Sequence, residues 1–375
     1  MGSCVAKQNR VVSIHQPEPR ESDPPAADEP VKPLEVVPAE PVAAEVPGVA
    51  PQSPKQKKNL IRAIKDVDVT AVKELIADGC ELDARGMWEN TPLIVACSHG
   101  QGEIASALLS AKADATLVNE LGATALHYAC IEGLNDDVVT RLCEAGAQVN
   151  AKPAKLYNRH LDNYVTCTPL VASAMGGFTH VCSILMQHKA EVDSAASEGS
   201  QTALWMACRY ERGPAVKLLL KEKADPRVKS TDGVSCLGAL SLGESFDGDI
   251  LMDLLNCNPP QGGGAIDVND TVGAPVVHAA RKDNQRVMEI LVTQGADVTR
   301  TAGPRKSTAL HVACEKKNGR MIQLLLQHKA DPEAKDMTKQ TPRDILASRA
   351  AGEDLMRLFT AKEHQPEGET GGSGA

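Results

Sequence analysis

Thr308-Ala309-Leu310-His311-Val312-Ala313-Cys314 is one of four near copies of a single phrase. Thr124-Ala125-Leu126-His127-Tyr128-Ala129-Cys130 repeats it with one change, and Thr91-Pro92-Leu93-Ile94-Val95-Ala96-Cys97 and Thr202-Ala203-Leu204-Trp205-Met206-Ala207-Cys208 follow it more loosely. After most of them come two polar or charged residues, then an apolar run, then a closing phrase of the type Gly295-Ala296-Asp297-Val298. Self-similarity at a fixed period sets the architecture, because a unit this short cannot bury its own apolar face and must stack on its neighbours.

The positions equivalent to the leading Thr are Thr91, Thr124, Thr168, Thr202, Ser235, Ala274, Thr308 and Thr341, at spacings of 33, 44, 34, 33, 39, 34 and 33. The phrase and its period resemble the ankyrin repeat, whose hallmark is Thr-Pro-Leu-His-x-Ala in a 33-residue unit. The resemblance covers about residues 58 to 361 and implies an all-α solenoid of about nine helix–turn–helix units with hairpin fingers. Residues 1–57 and 362–375 would be disordered tails.

Composition agrees with thin stacked layers. Of the 375 residues, 42% are hydrophobic but only 2% aromatic, which suits cores filled by Ala, Leu, Val and Cys. The net charge of −9 argues against a nucleic-acid binder, which needs a basic footprint. Eleven cysteines suggest neither disulfides nor zinc, since no Cys-x-x-Cys or Cys-x-x-His pairing occurs. Cys97, Cys130, Cys208 and Cys314 share one repeat position, where the family usually has Ala, and read as small buried hydrophobes. With no secretory or 18-residue apolar segment, an intracellular, reducing compartment is expected.

Met1-Gly2-Ser3-Cys4 resembles an N-myristoylation signal on Gly2 with Cys4 as a neighbouring palmitoylation site, though Ala6 stands where the pattern has Ser or Thr. Two acyl chains would make a stable peripheral anchor where one alone holds only marginally. Residues 11 to 57 are rich in Pro, Ala, Val and Glu and read as an extended spacer. Lys55, Lys57, Lys58, Arg62 and Lys65 mark a solvated helix start or an aid to membrane contact.

Along the repeats, Lys112, Lys189, Lys223 and Lys329 replace the Gly that ends the second helix, a left-handed position. The 44-residue spacing reports an insertion between Asn150 and Thr168, holding Tyr157 and Tyr164, read either as a lengthened solvent loop or as a partner-contacting one. Trp205 replaces the family His, so the usual hydrogen bond to neighbouring hairpin backbone is expected to be lost there. In repeat six, Gly238 and Gly243 weaken the first helix and Glu244 to Asp249 lengthen the turn. Gly262-Gly263-Gly264 lacks the Gly-Lys-Ser/Thr and preceding strand of a P-loop, and reads as a flexible loop. Repeat nine turns polar, as a terminal cap should.

The resemblance implies a protein-binding concave face made of fingers and first helices. Mapping the family's contact positions gives Met87, Trp88, Asn90, Ser98 and His99, then Glu120, Leu121, Ile131 and Glu132. Arg209 and Tyr210 follow, then Arg281, Lys282, Arg305, Lys306, Glu315 and Lys316. Trp88 leads, because a large ring on a finger tip has no core to fill and Trp heads the hot-spot residues. The basic set in repeats seven and eight points to an acidic patch on a partner. His127 and His311 sit at the family's structural His. No catalytic constellation, metal spacing or cofactor motif is found. The expectation is a monomeric, non-enzymatic scaffold in the cytoplasm, tethered to a membrane through Gly2 and Cys4. The alternative is a soluble adaptor or targeting subunit with no lipid.

Overall fold

The computed structural model describes residues 59–151, 156–158, 163–195, 199–257, 266–269, 274–349 and 353–360. All lie in the unit Gln56–Ala375; Gly2 and Cys4 are outside the described residues.

Helices come in pairs. Pair one is α1 (Leu60–Lys65) and α2 (Val69–Ala77), pair two α3 (Pro92–Ser98) and α4 (Gly102–Ser110), and pair three α5 (Ala125–Glu132) and α6 (Asp136–Glu144). The series continues with α7 (Pro169–Gly176) and α8 (Thr179–Gln187), α9 (Ala203–Arg209) and α10 (Gly213–Lys221), and α11 (Cys236–Ser241) and α12 (Gly248–Asn256). It closes with α13 (Pro275–Arg281) and α14 (Gln285–Thr293), α15 (Ala309–Glu315) and α16 (Gly319–Gln327), and α17 (Pro342–Ser348) and α18 (Glu353–Thr360). Each first helix packs on the next first helix, from α1 through α17. The second helices stack likewise from α2 to α18, so the ladder is unbroken.

The recurring Thr explains where the first helices start. Thr91, Thr124, Thr168, Thr202, Ser235, Thr308 and Thr341 each accept, at the side-chain oxygen, the backbone N–H three residues on. Such a cap contributes about 1 kcal/mol and satisfies a donor that the helix itself cannot. Ala274 has no such oxygen, and α13 begins uncapped at φ 25°. Pro at the first helical position in α3, α7, α13 and α17 costs nothing, because its missing N–H would have no intrahelical partner.

Side-chain size then sets the layer spacing. The position shared by Cys97, Cys130, Cys208 and Cys314 is fully buried in all four, and Ala174, Ser241 and Ala280 occupy it elsewhere. Only small side chains fit between first helices. Burial pushes the Cys97, Cys167 and Cys314 thiols up to about 12, and Cys143 and Cys182 to about 11, so these thiols stay protonated and unreactive. Lys112, Lys189, Lys223 and Lys329 do sit in the left-handed region, at φ 65–70°.

Three expectations need correction. The insertion after Asn150 is a paired ribbon, not merely a lengthened loop: β1 (Leu156–Asn158) runs antiparallel to β2 (Asn163–Val165), with Tyr157 opposite Tyr164. Trp205 keeps the bond it was expected to lose, because its indole N–H donates to the Val234 carbonyl at 2.9 Å. His127 and His311 reach the Ala151 and Gln340 carbonyls in the same way, at 2.9 and 3.1 Å. An indole carries its donor at a similar reach; what it lacks is the second ring nitrogen.

The third correction is the turn of repeat six, which spans 242–247 rather than Glu244–Asp249, since Gly248 and Asp249 already belong to α12. Phe246 folds inward and is fully buried. Glu211, in the preceding turn, accepts from Phe246 N–H (2.5 Å), Ser245 N–H (2.9 Å) and the Ser245 hydroxyl (2.7 Å). From the following layer, Lys282 and Asn284 donate to carbonyls of Gly243, Glu244, Ser245 and Phe246. At the carboxy end Phe359 is buried, with the Arg343 guanidinium 5.8 Å over its ring. Ala347 in α17, at the position that Cys314 holds in α15, is exposed, with no further layer over it among the described residues.

Candidate interaction surface

The fingers between repeats are built by short polar side chains bonding to nearby backbone. Asn119, in the finger before α5, accepts the N–H groups of Leu121 (3.0 Å) and Ala123 (2.9 Å) at one oxygen. Asp336 does the same before α17 for Thr338 (2.8 Å) and Gln340 (3.0 Å), and Ser230 does it before α11 for Val234 (3.2 Å). These residues are 5–6% exposed, so finger bases are fixed rather than fluid. The bonds from Thr338 hold the Asp336 carboxyl below the ordinary carboxylate range.

Neighbouring fingers are stitched together. Glu120 N–H donates to the Trp88 carbonyl (3.0 Å), Thr231 N–H to Gly199 (3.0 Å) and Met337 N–H to Arg305 (2.9 Å). Each bond joins residues 32 apart, so one backbone link recurs from layer to layer. Between the second-helix ends and the fingers, Asp83, Asn150, Asp193 and Asn269 accept the N–H of Asp114, Glu191, Asp225 and Asp297 one layer on, at 2.8–3.0 Å. Sequence reasoning missed both ladders. The Asn or Asp after each second helix was a signal for the second, while backbone stitching leaves no side-chain signature.

This frame aims the tip side chains outward. Met87 and Trp88 form a 3₁₀ turn with Glu89, and Trp88 lies at φ 61°. They are 67% and 59% exposed, among the most exposed large apolar residues described. Val118 and Met337, on other fingers, are 45% and 62% exposed, and Leu121 is half-buried. His99 is exposed and donates from Nδ1 to the Val95 carbonyl (2.9 Å), a helix-end bond. Ile131, mapped to the same surface, is instead buried in the stack.

Further along, Arg209 lies 5.8 Å over the Tyr210 ring, both half-buried. Arg281 is exposed and donates to the Ala302 carbonyl (3.1 Å). Lys282 is occupied by the repeat-six turn and offers a partner little. The last hairpin is β3 (Thr301–Ala302) paired with β4 (Ser307–Thr308). Arg305 and Lys306 lie at its tip, with Arg305 3.6 Å from Glu315. Lys316 is exposed at the end of α15. Of Tyr157 and Tyr164, the backbone pairing alone is described. Tyr157/Tyr164, Met87/Trp88 and Arg305/Lys306 therefore lie on separate fingers rather than in one cleft.

The buried histidine carries the clearest electrostatic signature. His127 Nδ1 accepts from the Thr124 backbone N–H (3.2 Å) while Nε2 donates to Ala151. Burial lowers its pKa from 6.5 to about 4, keeping the ring neutral and structural. Among the described residues no group of three or more His, Cys, Asp or Glu is gathered as a metal ion would require, and no helix is long and apolar enough to cross a membrane.

A family model of ankyrin repeats in three copies matches residues 60–153, 155–230 and 245–342. Among curated proteins, the chain is 39% identical over 103 residues to potassium channel AKT1 of Arabidopsis thaliana, a match covering 28% of this chain and 12% of the channel. It is 38% identical over 87 residues to the BTB/POZ domain and ankyrin repeat-containing protein NH5.2 of Oryza sativa subsp. japonica, covering 23% and 17%. The chain thus spans under a fifth of the length of these relatives. The human ASB11 ankyrin repeat domain aligns over 73% of this chain and 98% of that one, at 24% identity and a TM-score of 0.45.

Proposed function

The chain belongs to the ankyrin-repeat family, a fold that serves protein interaction, and from that premise we propose that it is a non-catalytic scaffold gripping a protein partner along its fingers and first-helix ends. The observation that carries this is the Met87–Trp88 tip. Two large apolar side chains stand in water on a turn that the next finger holds in place. A solvated thioether and indole contribute nothing to folding there, whereas on a partner they would be desolvated at the centre of a contact. Leu121, His99, Arg209, Tyr210 and the tyrosines of the inserted ribbon extend the surface, and the protein acts as a monomer.

Trp88→Ala is expected to leave folding unchanged, because the ring packs little, and to weaken partner binding by about 2 kcal/mol, roughly thirtyfold. Proximity labelling in cells with wild type and Trp88→Ala checks this. Loss of a defined set of neighbours supports the proposal, and identical neighbour sets for two equally folded proteins overturn it.

We further propose that acylation of Gly2, with Cys4 as the second site, holds the scaffold on the cytoplasmic face of a membrane. The support is the Met1-Gly2-Ser3-Cys4 sequence and the need for two chains in stable anchoring. Gly2→Ala is expected to move the protein from the membrane fraction to the soluble one. Equal distribution of both forms would favour a soluble adaptor without lipid.

A further inference from the structure

Charge is distributed unevenly along the repeats. Residues 59–151 carry six Lys and Arg against fourteen Asp and Glu, a net of −8; residues 274–349 carry fourteen against eight, a net of +6. In a protein of net charge −9, the last repeats are a basic island.

Contacts within that island show which of its cations lie together. Arg305 sits 3.6 Å from Glu315, at the end of α15. Arg349, just past α17, donates to the Glu315 carbonyl at 2.9 Å. Met337 N–H bonds the Arg305 carbonyl at 2.9 Å, which places the finger carrying Lys339 beside the one carrying Lys306. Lys306, Lys316, Lys339 and Arg349 are all exposed. Two rows result: Lys306 and Lys339 occupy the same finger-tip position 33 residues apart, and Lys316 and Arg349 the same helix-end position 33 apart. The acidic groups near them are engaged, Glu315 by Arg305 and the buried Asp336 by Thr338 and Gln340.

We infer that this finger-and-helix-end surface of repeats eight and nine binds an extended acidic segment of a partner protein, with a carboxylate at about every third residue. The spacing follows from geometry. Layers stack about 8–10 Å apart, and a chain in the polyproline II conformation advances about 3.1 Å per residue with three residues per turn, so every third side chain lies on one face and meets the next cation. Arg349 keeps guanidinium donors beyond the one it gives the Glu315 carbonyl, and exposed Met337 gives the segment an apolar neighbour. A bilayer fits less well, because a broad anionic surface would also face the acidic early repeats, whereas a narrow peptide meets only the local field within about 8 Å. The inference names the partner chemistry of one end of the proposed scaffold surface, and so rests on that scaffold role.

The test is fluorescence anisotropy of a labelled peptide of about twelve residues, roughly 40 Å when extended, carrying Glu at every third position. It is titrated with the full chain, alongside a Gln version, a version with its glutamates consecutive, and phosphatidylserine vesicles. Saturable binding of the spaced peptide is expected, weakening several-fold as salt rises from about 50 to 200 mM, with the Gln version inert. The double variant Lys306→Glu/Lys339→Glu should bind at least about tenfold more weakly, and Lys112→Glu/Lys221→Glu, with the same charge change elsewhere, within about twofold of wild type. Circular dichroism establishes that both are folded, and Lys306→Gln/Lys339→Gln replaces the first if it is not. No binding, equal binding of the Gln peptide, equal loss in both double variants, or preference for the vesicles overturns the inference. Because Trp88 lies on a distant finger, its neighbour set can persist while this inference fails, so the two outcomes are separable.

Discussion

Phe246→Ala is expected to lower stability by about 3–5 kcal/mol and to split one unfolding transition into two. Phe246 is among the largest fully buried side chains described, and it lies in a turn rather than in a helix. Removing the ring leaves a cavity between layers five and seven that cannot collapse freely. The backbone around it is pinned by Glu211 on one side and by Lys282 and Asn284 on the other. In a stacked array, cooperativity is carried by nearest-neighbour interfaces, so a weakened sixth layer uncouples the two halves. Urea unfolding followed by tryptophan fluorescence and by circular dichroism measures this. Both tryptophans, Trp88 and Trp205, precede repeat six, so fluorescence reports the first half while circular dichroism reports the whole. Coincident transitions at the wild-type midpoint would show that the turn couples nothing.

The second large effect is a loss of stability in acid traceable to one ring. His127 is 0% exposed, and its pKa lies at about 4 against an ordinary 6.5. The unfolded chain therefore takes up the proton first. Stability is complete above pH 6.5 and declines as pH falls towards 4, below which the contribution saturates. The linkage gives a loss of about 2 kcal/mol by pH 5 and about 3 kcal/mol in full. The geometry agrees: Nδ1 is already the acceptor for Thr124 N–H, and the ring is fully buried, so a proton there adds a charge that burial leaves unsolvated. Comparing denaturant midpoints of wild type and His127→Gln between pH 7 and pH 5 isolates the ring. The variant starts less stable but should lack this acid limb, and parallel pH profiles would show that the ring does not resist protonation.

Much of the fold was legible because it depends on contacts within a few residues of chain. Where the first helices start is a local matter too, since the hydroxyl that caps each one and the amide it caps are three positions apart. Cys97 and its equivalents could be recognised as packing residues, since their recurrence marks a site that takes only small groups. Exposure of Trp88 followed from its place on a finger. The failures share a cause as well. Trp205 was judged by what an indole lacks relative to imidazole, yet its partner, the Val234 carbonyl, lies 29 residues away and accepts from either ring. Lys282 looked like a free surface cation until the repeat-six turn folded against it.

By itself the sequence determined the period, the starts of the helices and the small-residue faces that let the layers stack. Each of those is set by propensity, capping or side-chain volume acting locally, and each is repeated often enough to be unmistakable. Only the tertiary structure decided that Phe246 of the repeat-six turn is buried, that the inserted segment is a ribbon pairing Tyr157 with Tyr164, and that the fingers carrying Lys306 and Lys339 are bonded side by side. Those outcomes depend on which polar and charged atoms meet across successive layers, and a distance of thirty residues along the chain does not encode that meeting until the layers are stacked.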